Sequence, residues 1–446
     1  MRDLVLVACF LACLGLTIRY PFAGILTWAW LSFMAPHQSV YSFAQSIPLN
    51  MIASVVAVTM LVIKGELRWP PSNIVTAMAG FLVVWTSLTT VTAFNVAWSY
   101  VYWLIAFKTF VLLFLILATA TTKARLHALI WVIVISLGFY GVKGGVFSIL
   151  HGGNYKVWGP PNTIIYDNNQ LALALVLVLP LMNYLRLHSA NRLLRLGLSA
   201  AMLLQLLAVI GSYSRGSILA LAVMLALLWW SSRNKITLAV LGALVIGTAL
   251  AMMPDGFWER MNSVNSAVAG EDVSFQGRVD AWYVATAYAI DHFPVGAGFY
   301  GPQLPAIFNQ YLPDHEPHAA HSIYFQVLGE HGFPALLAYL AMLAGGLLNF
   351  RHAARAARAW PGWGWLIDLS RMGGVGLLSF YLGAAALSMA YYDVLFTLLA
   401  ISVAARRMVD LHKAEIAAAL RHASRPASDA VAPPSLPFPD RTSNAA

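Results

Sequence analysis

The chain has 446 residues, of which 60% are hydrophobic and only 10% charged, with a formal net charge of +9. Soluble domains carry about 25% charged residues, so composition excludes a water-soluble globule. It also excludes secreted disulfide scaffolds and nucleic-acid binders, because the positive excess matches the Lys/Arg bias of cytoplasmic loops in membrane proteins. The expected fold class is an all-α polytopic membrane protein of about 12–13 transmembrane helices, with one large extramembrane loop that itself contains helices.

A bilayer span needs about 20 apolar residues. Apolar runs fall at 4–18, 21–35, 50–63, 74–93, 98–119, 126–150, 168–186, 196–213, 216–231, 236–253, 321–350, 372–390 and 391–405. Cys9 and Cys13, one helical turn apart in the first run, make an unlikely disulfide and say nothing about redox compartment. No small-residue cleavage site follows that run, so it is expected to be retained rather than removed as a signal peptide.

Basic residues occupy alternate connections: Lys64/Arg68, Lys123/Arg125, Arg186/Arg192/Arg195, Arg233/Lys235, Arg351/Arg355/Arg358 and Arg406/Arg407. The positive-inside rule places these in the cytoplasm, so connections 36–49, 151–167 and 254–320 face outward. The first two runs leave a conflict. Arg19 between them reads as cytoplasmic and would put Met1 outside, whereas Arg2 pulls the other way.

The region 143–175 breaks an apolar segment with glycines and prolines, the mark of a cavity-lining turn. Lys143 and Lys156 are outward cations suited to a diphosphate vestibule. Asn168, Asn169 and Gln170 begin the next span with amides that can bind sugars, or with Asp167/Asn168 simply capping it. Arg215 lies in GSYSRGS (211–217) between two apolar runs. Its guanidinium either snorkels to the interface or clamps an anion, with Ser212, Ser214 and Gly216 allowing close approach.

The outward loop 254–320 holds eight of the 18 acids and, of the 27 Lys/Arg, only Arg260 and Arg278. Within it, 277–292 places Ala281, Trp282, Ala285, Tyr288 and Ala289 at helical spacing. That predicts a helix opened by Gly277-Arg278, with Arg278 strengthening an anion site at its N-terminus or pairing with Asp280 or Glu271. The glycine group VGAGFYG (295–301) reads as a turn, and the Trp-rich stretch 360–365 as an interfacial anchor.

His321 opens HSIYFQVLGEHG (321–332), where the loop re-enters the membrane. An imidazole there can take a proton from a hydroxyl nucleophile, or merely pack at the interface. His315, His318 and His321 recur at every third residue, which fans the rings apart rather than grouping them as zinc ligands. Residues 411–446 start as a polar helix and end in a Pro/Ser/Ala-rich segment expected to be disordered.

Three elements in order, SRG at Ser214–Gly216, GRxxAW at Gly277–Trp282 and HSxYFxxxxEHG at His321–Gly332, resemble the bacterial O-antigen ligase and O-antigen polymerase superfamily over residues 200–400. The N-terminal half, notably GGNYKVWGPPNTIIYDNNQLAL, resembles O-glycosylation ligases that accompany exosortase systems. The resemblance implies three regions: an N-terminal transmembrane part at 1–195, a ligase-like core at 196–410, and a tail at 411–446.

It also implies a GT-C-type glycosyltransferase that moves a glycan from a polyprenyl-diphosphate carrier to an acceptor hydroxyl on a protein or glycan. The reaction would lie at the periplasmic face of the inner membrane, with no metal, nucleotide or other cofactor. By the same resemblance Arg215 and Arg278 hold the diphosphate, and His321 activates or positions the acceptor, with His331 a second candidate. Ser214, Lys143, Lys156, Asn168, Asn169, Trp282 and Tyr324 are the expected substrate-binding set. Ser322 stands where relatives commonly have Asn. A polymerase using the same donor is one alternative. A transporter of the lipid-linked glycan is another, though it would favour repeated halves and mid-membrane charges, of which the chain shows no repeat and few charges.

Overall fold

In a computed structural model, residues 1–232, 234–251, 253–262 and 273–423 are described. Arg233, Glu271, Asp272 and the Pro/Ser/Ala-rich end of the tail lie outside them. The described chain is helical: α1 Arg2–Arg19, α2 Pro21–Met34, α3 Leu49–Ile63, α4 Ile74–Val91, α5 Val96–Thr119, α6 Lys123–Leu150, α7 Asn168–Leu187, α8 Arg192–Ile210, α9 Arg215–Ser231, α10 Lys235–Ala251, α11 Asp255–Asn262, α12 Val273–Asp291, α13 Pro305–Tyr311, α14 Ile323–Ala357, α15 Gly364–Gly383 and α16 Asp393–Ala423. Each of the expected apolar runs overlaps one of these helices, the 372–390 run leaving α15 at Gly383. Among the described residues α4, α5, α6, α7, α8 and α14 are long and apolar enough to cross a membrane, and α2, α3 and most of α9 are apolar but shorter. The chain is a polytopic all-α membrane protein.

Helix starts follow side-chain chemistry. Asn73, Asn95, Thr122, Asp167, Asn191 and Ser214 each accept a hydrogen bond from a backbone N–H in the first turn of the helix they precede. Each cap satisfies a donor that has no intrahelical partner. α7 is apolar on every side, and nearly all its residues are buried. A helix without a polar face belongs in the middle of a bundle, and α6, α8, α9 and α15 surround it.

The basic connections gather at one end. Arg125 pairs with Glu66 at 2.5 Å, Lys64 Nζ donates to Arg19 O at 2.9 Å, Lys123 lies over the Trp365 ring, and His188 meets Asp368 at 3.0 Å. At the other end Asp3 Oδ1 accepts from the N–H groups of Ser42 and Ala44, both at 3.2 Å. This settles the N-terminal conflict: Arg19 joins the basic end, and the start of α1 is tied to the opposite one.

α14 is broken inside the bundle. Gly332 has φ 76° and ψ −176°, and Pro334 follows it. Proline brings no N–H, so carbonyls one turn earlier lose their helical donors and need others. Ala297 N–H donates to Gly329 O at 2.9 Å, Gly298 N–H to Glu330 O at 2.8 Å, and Trp85 Nε1 to His331 O at 2.8 Å. Segment 295–301, expected to be a simple turn, is therefore a wedge that completes a broken helix. It fits because a Cβ on Gly332 would come within 2.1 Å of Pro294 O, and one on Gly298 within 2.2 Å of Ala93 Cβ. Irregular backbone is tolerated at such depth where protein buries it.

Candidate functional site

The connections opposite the basic end enclose a cavity of about 750 Å³. Its wall draws on residues from α2, α5 and the 162–165 turn, and on the wedge, the 318–321 turn, α14 and the start of α16. Both the first 190 residues and the later half thus build it.

His321 borders this cavity. It holds φ 43°, an uncommon left-handed backbone for a side chain with a Cβ, immediately before α14. Its ring is open to the cavity yet enclosed by protein. That enclosure pushes the imidazole below its usual range; the Arg278 charge and His318 push the same way, and Asp167 opposes them. A ring so placed stays neutral near pH 7 and keeps a lone pair for a proton.

Arg278 is close enough for its charge to act on His321. It does not open its helix, contrary to expectation. α12 starts at Val273, so Arg278 lies in the second turn, where backbone N–H groups already bond within the helix. The anion-site argument there rests on the guanidinium and not on the helix end. Asp280, one proposed partner, instead meets His315 Nδ1 at 2.7 Å and Gln276 Nε2 at 3.0 Å. The three histidines diverge: His315 to Asp280, His318 against Gly277, and His321 to the cavity.

Arg215 is the first residue of α9, after the Ser214 cap. Ser214 Oγ accepts from Ser217 N–H at 3.3 Å and donates to Ser217 Oγ at 2.9 Å. Ser217 Oγ donates to Asn169 O at 3.1 Å, and Asn169 donates through N and Nδ2 to Asp167 Oδ1, both at 2.9 Å. The N-terminal turns of α7 and α9 are thereby fastened together, and Asp167 in that pair is the carboxylate felt by His321. Arg215, Arg278 and His321 share one end of the molecule, and of the three it is His321 that borders the cavity.

The remaining expected residues divide. Trp282 Nε1 donates to Ala320 O at 2.6 Å and its ring stacks on Phe325 at 5.0 Å, which fixes the peptide before His321. Asn168 Nδ2 donates to Ser212 O at 2.7 Å, so the amides of Asn168 and Asn169 serve local structure while Gln170 borders the cavity. Tyr324 donates to Tyr381 O at 3.0 Å and ties α14 to α15. Lys156 is exposed in the 151–167 connection. Lys143 borders a separate apolar groove with Trp131, Met182 and Leu198. His331 is buried, its Nδ1 2.6 Å from Thr89 Oγ1, whereas His321 faces the cavity.

Sequence reasoning missed Lys108, Glu330 and Asp393, all on the cavity wall. Asp393 accepts from Thr109 Oγ1 and lies within reach of the Lys108 charge. The available signal was a lysine in the middle of the 98–119 run, where an ionisable residue marks function by default.

Fold and cavity define an all-helical membrane protein with a cavity at the end opposite its basic connections. Residues 200–340 match the family model described as O-Antigen ligase, and residues 1–190 match one described as a family of unknown function. No curated protein matches the chain. Residues 200–340 are thus similar to the O-antigen ligase family, which supports ligase or glycosyltransferase-type work in glycan assembly.

Proposed function

We propose that the protein transfers a glycan from a polyprenyl-diphosphate carrier to an acceptor hydroxyl on a protein or another glycan, at the periplasmic face of the bacterial inner membrane. The observation that carries this reading is His321 on the wall of the 750 Å³ cavity, close enough to Arg278 for that charge to lower its affinity for a proton. The acceptor oxygen attacks the anomeric carbon, forming the new glycosidic bond as the bond from that carbon to the diphosphate oxygen breaks. His321 takes the acceptor proton, and the carrier leaves as the diphosphate anion. Guanidinium groups of Arg278 and Arg215 stabilise the charge that grows on the leaving group, a kind of preorganised donor worth roughly 3–4 kcal/mol. Positive-inside placement of the basic end supports the outward orientation.

The test is purified protein in liposomes, supplied with a synthetic polyprenyl-diphosphate glycan and hydroxyl acceptors, followed by mass spectrometry of the acceptor. Transfer without an ion gradient is expected. Movement of the lipid across the bilayer with no new glycoside would replace this reading by a carrier.

A further inference from the structure

A second concavity lies on the flank of the helix bundle, and its wall shares no residue with that of the cavity. It is an apolar groove of about 370 Å³. Trp131, Ile135, Gly138 and Val142 follow one another along one face of α6, with Met182 of α7 and Leu198 of α8 beside them. Ile135 and Phe139 are 56% and 46% exposed, as apolar side chains turned to lipid would be. Gly138 deepens the groove. Elsewhere on α6 glycines let α8 close in: a Cβ on Gly141 would come within 2.5 Å of Gln205 Oε1, and one on Gly145 within 2.1 Å of Leu204 O. At Gly138 the neighbours stand off, and a Cβ would meet only Met182 Cε, at 3.6 Å, an ordinary contact. A glycine that no close packing requires leaves a notch.

Lys143 brings the charge. It borders the groove, is exposed, and makes no hydrogen bond or ion pair with a described residue. No Asp or Glu stands on the groove wall among the described residues. Eighteen residues before it, Arg125 pairs with Glu66 at the basic end. At 1.5 Å per residue Lys143 is then about 27 Å further along α6, close to the ~30 Å thickness of the hydrocarbon core. That sets its ammonium near the opposite headgroup plane, where phosphates lie. From Lys143 the groove runs back to Trp131 over about 18 Å, slightly more than the ~15 Å depth of one leaflet's hydrocarbon. A snorkelling lysine by itself needs no groove; ammonium and groove together fit one phosphate above one acyl chain.

We propose that the α6–α7–α8 groove binds an anionic diacyl phospholipid of the leaflet opposite the basic end, with its phosphate on Lys143 and one acyl chain along Gly138. The site is independent of the reaction proposed above. A headgroup of net negative charge is preferred over a zwitterionic one, because the latter's ammonium would sit beside Lys143 with no acid on the wall to receive it.

The experiment is native mass spectrometry of the full-length protein, titrated in detergent with phosphatidylglycerol or phosphatidylethanolamine of identical chains. The wild type is expected to retain phosphatidylglycerol about fivefold more tightly. Lys143→Ala should remove that preference and Lys143→Arg should keep it. Gly138→Leu, which fills the notch, should weaken retention of both lipids; if that variant does not fold, the Lys143 pair decides alone. Equal retention of the two lipids by the wild type overturns the site. So does a preference that survives Lys143→Ala, which would belong to the basic end, or retention unchanged in a folded Gly138→Leu protein. Displacement of phosphatidylglycerol by an equal concentration of polyprenyl phosphate would reassign the groove to a single-chain carrier and overturn the proposal as well.

Discussion

His321, proposed above as the base, shows how neighbours set the chemistry of one position. Its neighbours lower its affinity for a proton: enclosure first, then Arg278 and His318, against Asp167. The base form therefore predominates at neutrality and down to about pH 6.5, the ordinary imidazole value, and transfer rates should fall only below it as the ring takes up a proton. A rate profile falling already at pH 7 or above would remove His321 as the base. Arg278→Ala and Arg215→Ala should each lower turnover by roughly 10²–10³ while the protein still inserts, read as transfer per molecule in membranes. Arg278 and His321 stand out in the chain because a cation in an acidic loop and an imidazole at a re-entry point are conspicuous, and the structure places them near each other. Glu330, Lys108 and Asp393 do not, because each is embedded in or beside an apolar run and gains meaning only when α5, α14 and α16 meet. Lys143 lies apart from the cavity, because helical rotation turns it to a different groove.

At the level of elements, span positions were readable because apolar length is dictated by the bilayer and caps punctuate it. Less visible was the break in α14. The sequence EHGFP contains its cause, but the compensating donors come from Ala297 and Gly298, about 30 residues earlier, and from Trp85 in α4. No local pattern announces such a pairing, which is why 295–301 reads as a turn in isolation. Gly332→Ala forces a side chain into a left-handed conformation and against Pro294 O. The backbone term alone should cost roughly 1–3 kcal/mol, seen as a lowered melting temperature in detergent; an unchanged melt would refute this account of the break. Ser214→Ala removes the α9 cap and its link toward Asn169, with an expected loss of about 1 kcal/mol. Its melting curve, set beside that of the neighbouring exposed Leu219→Ala as a surface control, tests the cap.

For the whole molecule, sidedness is the testable property. Single cysteines at Ser42 and Ser189, in a background with Cys9 and Cys13 replaced, should label with an impermeant maleimide from opposite sides of intact cells. The Asp3 contacts require that a label at residue 1 behave like the one at Ser42; labelling of residue 1 with Ser189 would reverse α1. The wedge at 296–298 has a mechanical meaning as well. Because its N–H groups are bound into α14 and Phe94 N–H bonds back to Ala297 O, the arm carrying α12 and α13 is riveted to the membrane bundle at a point between those two helices. Such an arm does not swing away as a flap. On the function proposed above, a bulky carrier lipid would have to enter sideways, with no hinge at 297–298 to widen its path.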